Sequence, residues 1–165
     1  MQLQPKILIY GYGNPGRKDD GLGSVFVDLL KKWLDSERIK NVELENDYQL
    51  NIEDALTISE KDLVVFVDAS IENIDDYCLT RVEAEDSKIE FSMHAVSASF
   101  ILDKSNQLYD KDPETYLLHI KGYEWDYKEE LTDKATINLN KALNFIKERI
   151  LDPGSFKDHV IKIKG

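Results

Sequence analysis

The sequence is poor in cysteine and has no long apolar run, and each shortage excludes a class of protein. Cys78 is the single cysteine among 165 residues, which rules out an internal disulfide and a multi-cysteine zinc site. No apolar run approaches the roughly 20 residues that span a bilayer. A β-rich segment follows the N-terminus at once, so no secretory signal is predicted. We therefore expect a cytoplasmic protein with no membrane partner.

Positive charge is also scarce. The 21 lysines and arginines stand against 32 aspartates and glutamates, for a formal net charge of −11. Nucleic acid is not an expected partner, because phosphate binding needs clustered lysine and arginine. The content of 42% hydrophobic and 32% charged residues favours one soluble globular domain. We assign that domain to residues 1–151 and a C-terminal tail to residues 152–165, and expect a monomer or weak oligomer.

Strand-like and helix-like patterns alternate along the chain, which predicts an α/β fold. Predicted strands cover residues 6–12, 42–46, 63–69, 77–84 and 115–122, with a short strand or loop at 88–93. Predicted helices cover residues 21–38, 51–58, 96–109 and 132–151. The pattern favours a three-layer α/β/α sandwich with a mostly parallel sheet of about five strands. No helix separates the strands at 63–69 and 77–84, so we expect these two to pair, with one antiparallel edge strand.

The segment Gly11–Gly23 reads GYGNPGRKDDGLG and joins the first predicted strand to the first predicted helix. Its glycines match the G-x-G-x-x-G pattern of dinucleotide-binding loops. The surroundings oppose that function, because Pro15 removes a backbone donor and two acids at the helix mouth would repel a diphosphate. The acids that end the next strand also lie nearer to about thirty residues away than the usual ~20.

A metal site is the alternative interpretation of the same segment. Asp20 lies at the helix mouth, and Asp68 ends an apolar run that is typical of a buried parallel strand. Open α/β sheets bind ligands at the carboxyl ends of their strands. His94 precedes another helical pattern and adds a nitrogen, giving a donor set suited to divalent transition metals. Taken singly, Asp20 is better explained as a helix cap, Asp68 as a turn cap and His94 as a polar loop residue. All three are predicted at the same sheet edge, and together they favour the metal site.

Other polar and aromatic residues favour structural roles over chemistry. Cys78 in a predicted strand is typical of a small buried residue, and a dyad with His94 is the alternative. His119, among apolar neighbours, is typical of a core histidine with a satisfied hydrogen bond. An aromatic patch is equally explained by packing and by contact with a partner protein. That patch consists of Tyr123, Trp125 and Tyr127.

Four features together resemble the hydrogenase maturation endopeptidases, which trim the C-terminal tail from the precursor of the nickel–iron hydrogenase large subunit. They are the G-x-G-N-x-x-x-x-D-D-G-x-G opening, the V-D-A strand end at Asp68, the isolated His94 and the stretch 116–125 with its Leu131–Thr132 helix start. The resemblance covers roughly residues 6–151.

This resemblance implies an endopeptidase whose partner is the hydrogenase large-subunit precursor. It implies that Asp20, Asp68 and His94 contact nickel that arrives within the precursor, with the same residues carrying the catalytic chemistry. The chain departs from the family in having aspartate at position 20, where many members have glutamate. After Asp68, the stretch 70–76 replaces a segment that is often glycine-rich. A nucleotide-binding protein and a non-catalytic metal-sensing chaperone remain alternatives.

Overall fold

The computed structural model of the protein describes residues 4–84 and 96–163, so the expected strand or loop at 88–93 lies outside the described residues. The strands are Ile7–Tyr12 (β1), Val42–Asp47 (β2), Leu63–Ser70 (β3), Tyr77–Arg81 (β4) and Glu114–Lys121 (β5). The α-helices are Leu22–Ser36 (α1), Asp54–Ser59 (α2), Ala98–Tyr109 (α3) and Asp133–Leu151 (α4). Short 3-10 helices cover Lys18–Gly21 and Pro153–His159. Within the described ranges, no helix has the length and apolar content needed to cross a bilayer.

The strands form one mixed sheet in the order β2-β1-β3-β5-β4. Strands β2, β1, β3 and β5 are mutually parallel and β4 runs antiparallel to β5, which confirms the predicted fold class. The expected pairing of β3 with β4 was wrong, because β5 lies between them. Every residue of β5 is buried or partly buried, as an inner strand requires, whereas the shorter β4 ends in the exposed Arg81 and suits the edge.

Helices cover both faces of the sheet. On one face, Phe26 and Leu30 of α1 pack with the buried residues of α4. The four-residue spacing of Phe26 and Leu30 puts them on one side of the helix. The buried side chains that β1, β3 and β5 direct to this face complete the cluster. On the other face, Ile58 of α2 and Ile101 of α3 pack against Leu8 and the alternate side chains of the same strands. The result is the three-layer sandwich expected from the sequence.

The residues that follow α4 pack against the first of these helical layers. Phe156 is fully buried, and its ring stacks on that of Tyr116 with 5.4 Å between the centroids. Further along, the Ile161 backbone N–H donates to the Leu79 carbonyl at 2.9 Å. Phe156 therefore packs on β5, and residues 160–161 lie beside β4.

Candidate active site

The loop after β1 folds back on itself and delivers Asp20 to the edge of the sheet. Gly13 has a φ of +135°, and a Cβ there would overlap the Asp20 backbone oxygen, so the turn requires glycine. The Asn14 backbone N–H donates to Asp20 Oδ2 at 2.8 Å. Asp20 is partly buried within the 3-10 helix that leads into α1. Its carboxylate is thus held at the carboxyl end of the parallel strands.

Asp68 reaches the same edge from β3. It follows five buried residues, Leu63–Val67, and the register of Gly11 with Val67 brings it beside Tyr12 of β1. Adjacent parallel strands present in-register side chains on the same face of the sheet. The Tyr12 hydroxyl donates a hydrogen bond to the Asp68 carboxylate, and the Ala69 backbone N–H donates another. Asp68 is therefore positioned by its own strand and by its neighbour.

The two acids interact electrostatically. Burial, together with the nearby charge of Asp20, raises the pKa of Asp68 to about 7. The hydrogen bonds from Tyr12 and Ala69 act in the opposite direction without offsetting this rise. Burial and the charge of Asp68 in turn raise the pKa of Tyr12. The rim formed by Asp20 and Asp68 is a site where added positive charge would be stabilising.

The structure brings together two of the three predicted ligands. Asp20 and Asp68 share the rim, whereas His94 lies outside the described residues. Considering residues 4–84 and 96–163 alone, no three His, Cys, Asp or Glu side chains group closely enough to hold a metal ion. The ligand roles of Asp20, Asp68 and His94 remain predictions.

His119 and Cys78 lie near the rim with structural partners. The register pairs His119 of β5 with both Asp68 and Cys78. His119 Nε2 and Thr80 Oγ1 are hydrogen-bonded at 2.9 Å, and burial lowers the pKa of the imidazole. Cys78 is 7% exposed, and burial raises the pKa of its thiol to about 11, which makes it a poor nucleophile.

Asp19 is the residue whose role the sequence analysis missed. It is fully buried, in contrast to its neighbour Asp20. Its Oδ2 accepts from the Tyr123 N–H at 2.7 Å, the Glu124 N–H at 3.1 Å and Thr132 Oγ1 at 2.8 Å. Its Oδ1 accepts from the Thr132 N–H at 2.8 Å. The adjacency of two acids in the sequence could have indicated separate roles, because neighbouring side chains in a tight turn point in different directions.

The aromatic patch divides between packing and exposure. Arg17 Nε donates to the Trp125 carbonyl at 3.2 Å, and the Arg17 guanidinium lies 5.2 Å from the centre of the Tyr127 ring. Trp125 is partly buried, whereas Tyr127 is 85% exposed. Tyr123 accepts a hydrogen bond from Asn138 Nδ2 at 2.9 Å. The packing interpretation therefore fits Trp125, whereas Tyr123 and Tyr127 are both exposed.

A shallow groove of about 230 Å³ lies beside the rim. It runs between the loop after β1 and the carboxyl end of β2. Its lining residues are Gly13, Pro15, Ser24, Asn46, Asp47 and Tyr48.

Comparisons with known proteins place this architecture. No protein-family model matches the sequence, and no curated protein matches it. Among solved structures, the nickel–iron hydrogenase maturation protease HycI from Thermococcus kodakarensis has a TM-score of 0.69 and 20% identity, over 90% of this chain and 94% of that one. The hydrogenase maturating endopeptidase HybD from E. coli has a TM-score of 0.70 and 18% identity, over 90% and 94%. A hydrogenase 2 maturation peptidase from a Thaumarchaeota archaeon has a TM-score of 0.62 and 18% identity, over 88% and 97%.

The fold and the rim define an α/β/α protein with paired carboxylates at the carboxyl edge of its sheet. Its fold is that of the solved hydrogenase maturation proteases, and it extends over about 90% of the chain. The fold that the sequence resemblance implied is confirmed. At identities of 18–20%, the likeness concerns the architecture.

Proposed function

We propose that the protein is a processing endopeptidase that removes the C-terminal extension of a nickel-loaded nickel–iron hydrogenase large-subunit precursor. The observation that carries the proposal is the meeting of Asp20 and Asp68 at one rim, in a fold shared with maturation proteases. The two acids lie 48 positions apart in sequence and interact unfavourably at a shared, partly buried rim. Their repulsion is a cost that a functional cation would repay.

Nickel enters this proposal as part of the substrate. The carboxylate oxygens of Asp20 and Asp68 contact nickel already seated in the precursor, and His94 provides the third contact. These are donor types that divalent transition metals accept. A precursor without nickel meets two repelling anionic groups and docks poorly. One carboxylate at the rim then accepts the proton of the water that attacks the scissile bond.

The hydrogen bonds of the glycine-rich loop argue against the nucleotide-binding alternative. A phosphate site needs backbone N–H groups directed at the ligand. Here the Asn14 N–H donates to Asp20, and the Gly16 N–H donates to Asn14 Oδ1 at 2.8 Å. The Gly13 N–H donates to the Asp47 carbonyl at 3.1 Å. These donors are therefore engaged within the protein.

The test is mass spectrometry of purified precursor, nickel-loaded or nickel-free, before and after mixing with the protein. We expect a C-terminal fragment to be released from the nickel-loaded precursor alone. Asp20→Asn, Asp68→Asn and His94→Ala should each reduce its release at least about a hundredfold, as expected when a group that stabilises the transition state is removed. Asp28→Asn, at an exposed acid on α1, is the matched control and should cleave normally.

Three results would contradict the proposal. An intact nickel-loaded precursor would leave the non-catalytic chaperone as the better explanation. Equal cleavage of both precursors would remove nickel recognition. Normal cleavage by one of the three variants would remove that residue from the site.

A further inference from the structure

We propose that Asp19 is a positioning residue that fixes the orientation of Asp20 by anchoring the 3-10 helix to the segment 122–132. The inference rests on the proposed function only in taking Asp20 as the residue that meets the substrate. The two acids are adjacent in sequence and have opposite roles: Asp19 points into the protein and Asp20 lies at the rim.

The buried site around Asp19 presents several hydrogen-bond donors to its carboxylate. Four donors from Tyr123, Glu124 and Thr132 converge on its two oxygens at 2.7–3.1 Å. An ionised carboxylate has no proton to donate, so it satisfies a site that presents only donors. Charge-assisted bonds of this kind are roughly twice as strong as neutral ones. These bonds link positions more than 100 residues apart in the chain.

Backbone contacts hold the same 3-10 helix against the segment 122–132. The Lys18 N–H donates to the Lys128 carbonyl at 2.8 Å, and the Asp19 N–H donates to the Glu124 carbonyl at 3.1 Å. The Lys18 ammonium also pairs with the Glu124 carboxylate at 2.9 Å. The close approach depends on Gly122, where a Cβ would lie 2.9 Å from that of Asp19 and 2.8 Å from the Trp125 ring.

Asp20 depends on this anchoring because its own carboxylate has weak support. Among residues 4–84 and 96–163, the hydrogen bond to its carboxylate comes from the Asn14 N–H, which belongs to the same turn of chain. The neighbouring Asp68 carboxylate offers Asp20 no attractive contact, because like charges repel. The side chain therefore keeps its direction only while residues 18–21 keep theirs. A shift of the 3-10 helix would lengthen the Asn14–Asp20 hydrogen bond and move a carboxylate out of reach of the substrate.

The Asn14 amide proton provides a readout of Asp20 that does not require activity. Asp19→Asn directs an NH₂ group at backbone donors, so at least one hydrogen bond is lost. We expect the Asn14 amide resonance to move upfield in ¹⁵N-resolved spectra of this variant. We also expect kcat on nickel-loaded precursor to fall more than about tenfold, with KM changed less than about threefold, as for a loss of positioning at the reacting centre. In a Trp33→Phe background, Trp125 fluorescence should report a loosened segment 122–132.

Variants of Thr132 test the same effect at a second residue, and they keep the test possible if the Asp19→Asn protein does not fold. Thr132→Ser keeps both donors and should behave as the parent protein does, whereas Thr132→Val removes the hydroxyl donor and should produce the same changes more weakly. Ile150→Val at the far end of α4 is the matched control for a general loss of stability. It should leave both the Asn14 resonance and kcat unchanged.

A purely structural role predicts a different result. In that case the Asp19→Asn and Thr132→Val proteins would alter Trp125 fluorescence while the Asn14 resonance and kcat stayed at their parent values, and this would overturn the proposal. Failure of the proposed function is a separate outcome, in which the parent protein leaves the precursor uncut. The Asn14 resonance would still support or overturn the positioning role.

Discussion

The two faces of the sheet differ at the carboxyl ends of the strands. On the face covered by α1 and α4, apolar side chains continue to the strand ends, with Val67 and Ile120 in the core. On the face covered by α2 and α3, the apolar side chains give way to Tyr12, Asp68 and His119. Strand alternation assigns successive residues to opposite faces, so one strand serves both purposes. The first face is apolar up to the strand ends, and the second ends in polar side chains.

The helical layers follow the same division. α1 and α4 contain 15 and 19 residues, whereas α2 and α3 contain 6 and 12. The longer helices bury a continuous stripe of side chains against the sheet. The shorter helices pack against the other face, where Tyr12, Asp68 and His119 lie at the carboxyl ends of the strands. Substitutions on the two faces should therefore have opposite consequences for stability and activity.

Phe26→Ala should have the largest effect on stability. Phe26 of α1 is fully buried in the apolar face, and truncating a buried phenylalanine costs about 3–5 kcal/mol. The free energy of unfolding, measured with urea, should fall by that amount. Cleavage of the precursor by the protein that remains folded should be unchanged. A loss below about 1 kcal/mol would show that this layer is not the main support.

Asp68→Asn should act in the opposite direction, raising stability by about 1–3 kcal/mol at pH 8. Burial raises the pKa of this carboxyl to about 7, so ionisation costs more in the folded protein than in the unfolded chain. That cost is absent below the ordinary pKa, near 4, grows as the pH rises and is complete above about pH 7. Asparagine does not ionise and avoids it.

Urea unfolding of the isolated protein at pH 8 and pH 4 measures this difference. The gain should be present at pH 8 and small at pH 4. If the variant is less stable than the parent protein at pH 8, ionisation of Asp68 does not destabilise the fold as expected. Such a result would place Asp68 among the residues that stabilise the fold.

The sequence predicted what depends on local pattern. The apolar run ending at Asp68 and the glycine turn before Asp20 predicted both the parallel sheet and the edge at which the acids meet. The position of β5 between β3 and β4 was not predicted, because adjacency in sequence favoured pairing of β3 with β4. The role of Asp19 was not predicted either, because the donors that bind its carboxylate come from residues 123–132, far away in sequence. The contribution of His94 is still a prediction.

Tyr12→Phe should have the smallest effect of the three substitutions, and it tests how the polar residues of one face support each other. The variant removes the hydroxyl that donates to Asp68, so the free energy of unfolding should fall by about 1–2 kcal/mol. In an Asp68→Ala background the same change should cost almost nothing, because the acceptor is absent. A double-mutant cycle by urea unfolding isolates this coupling. Tyr10→Phe is the matched control, since the Tyr10 hydroxyl donates to Asp54 at 2.9 Å and its effect should add to that of Asp68→Ala. Equal costs of Tyr12→Phe in both backgrounds would mean that the Tyr12 hydroxyl does not support the Asp68 carboxylate.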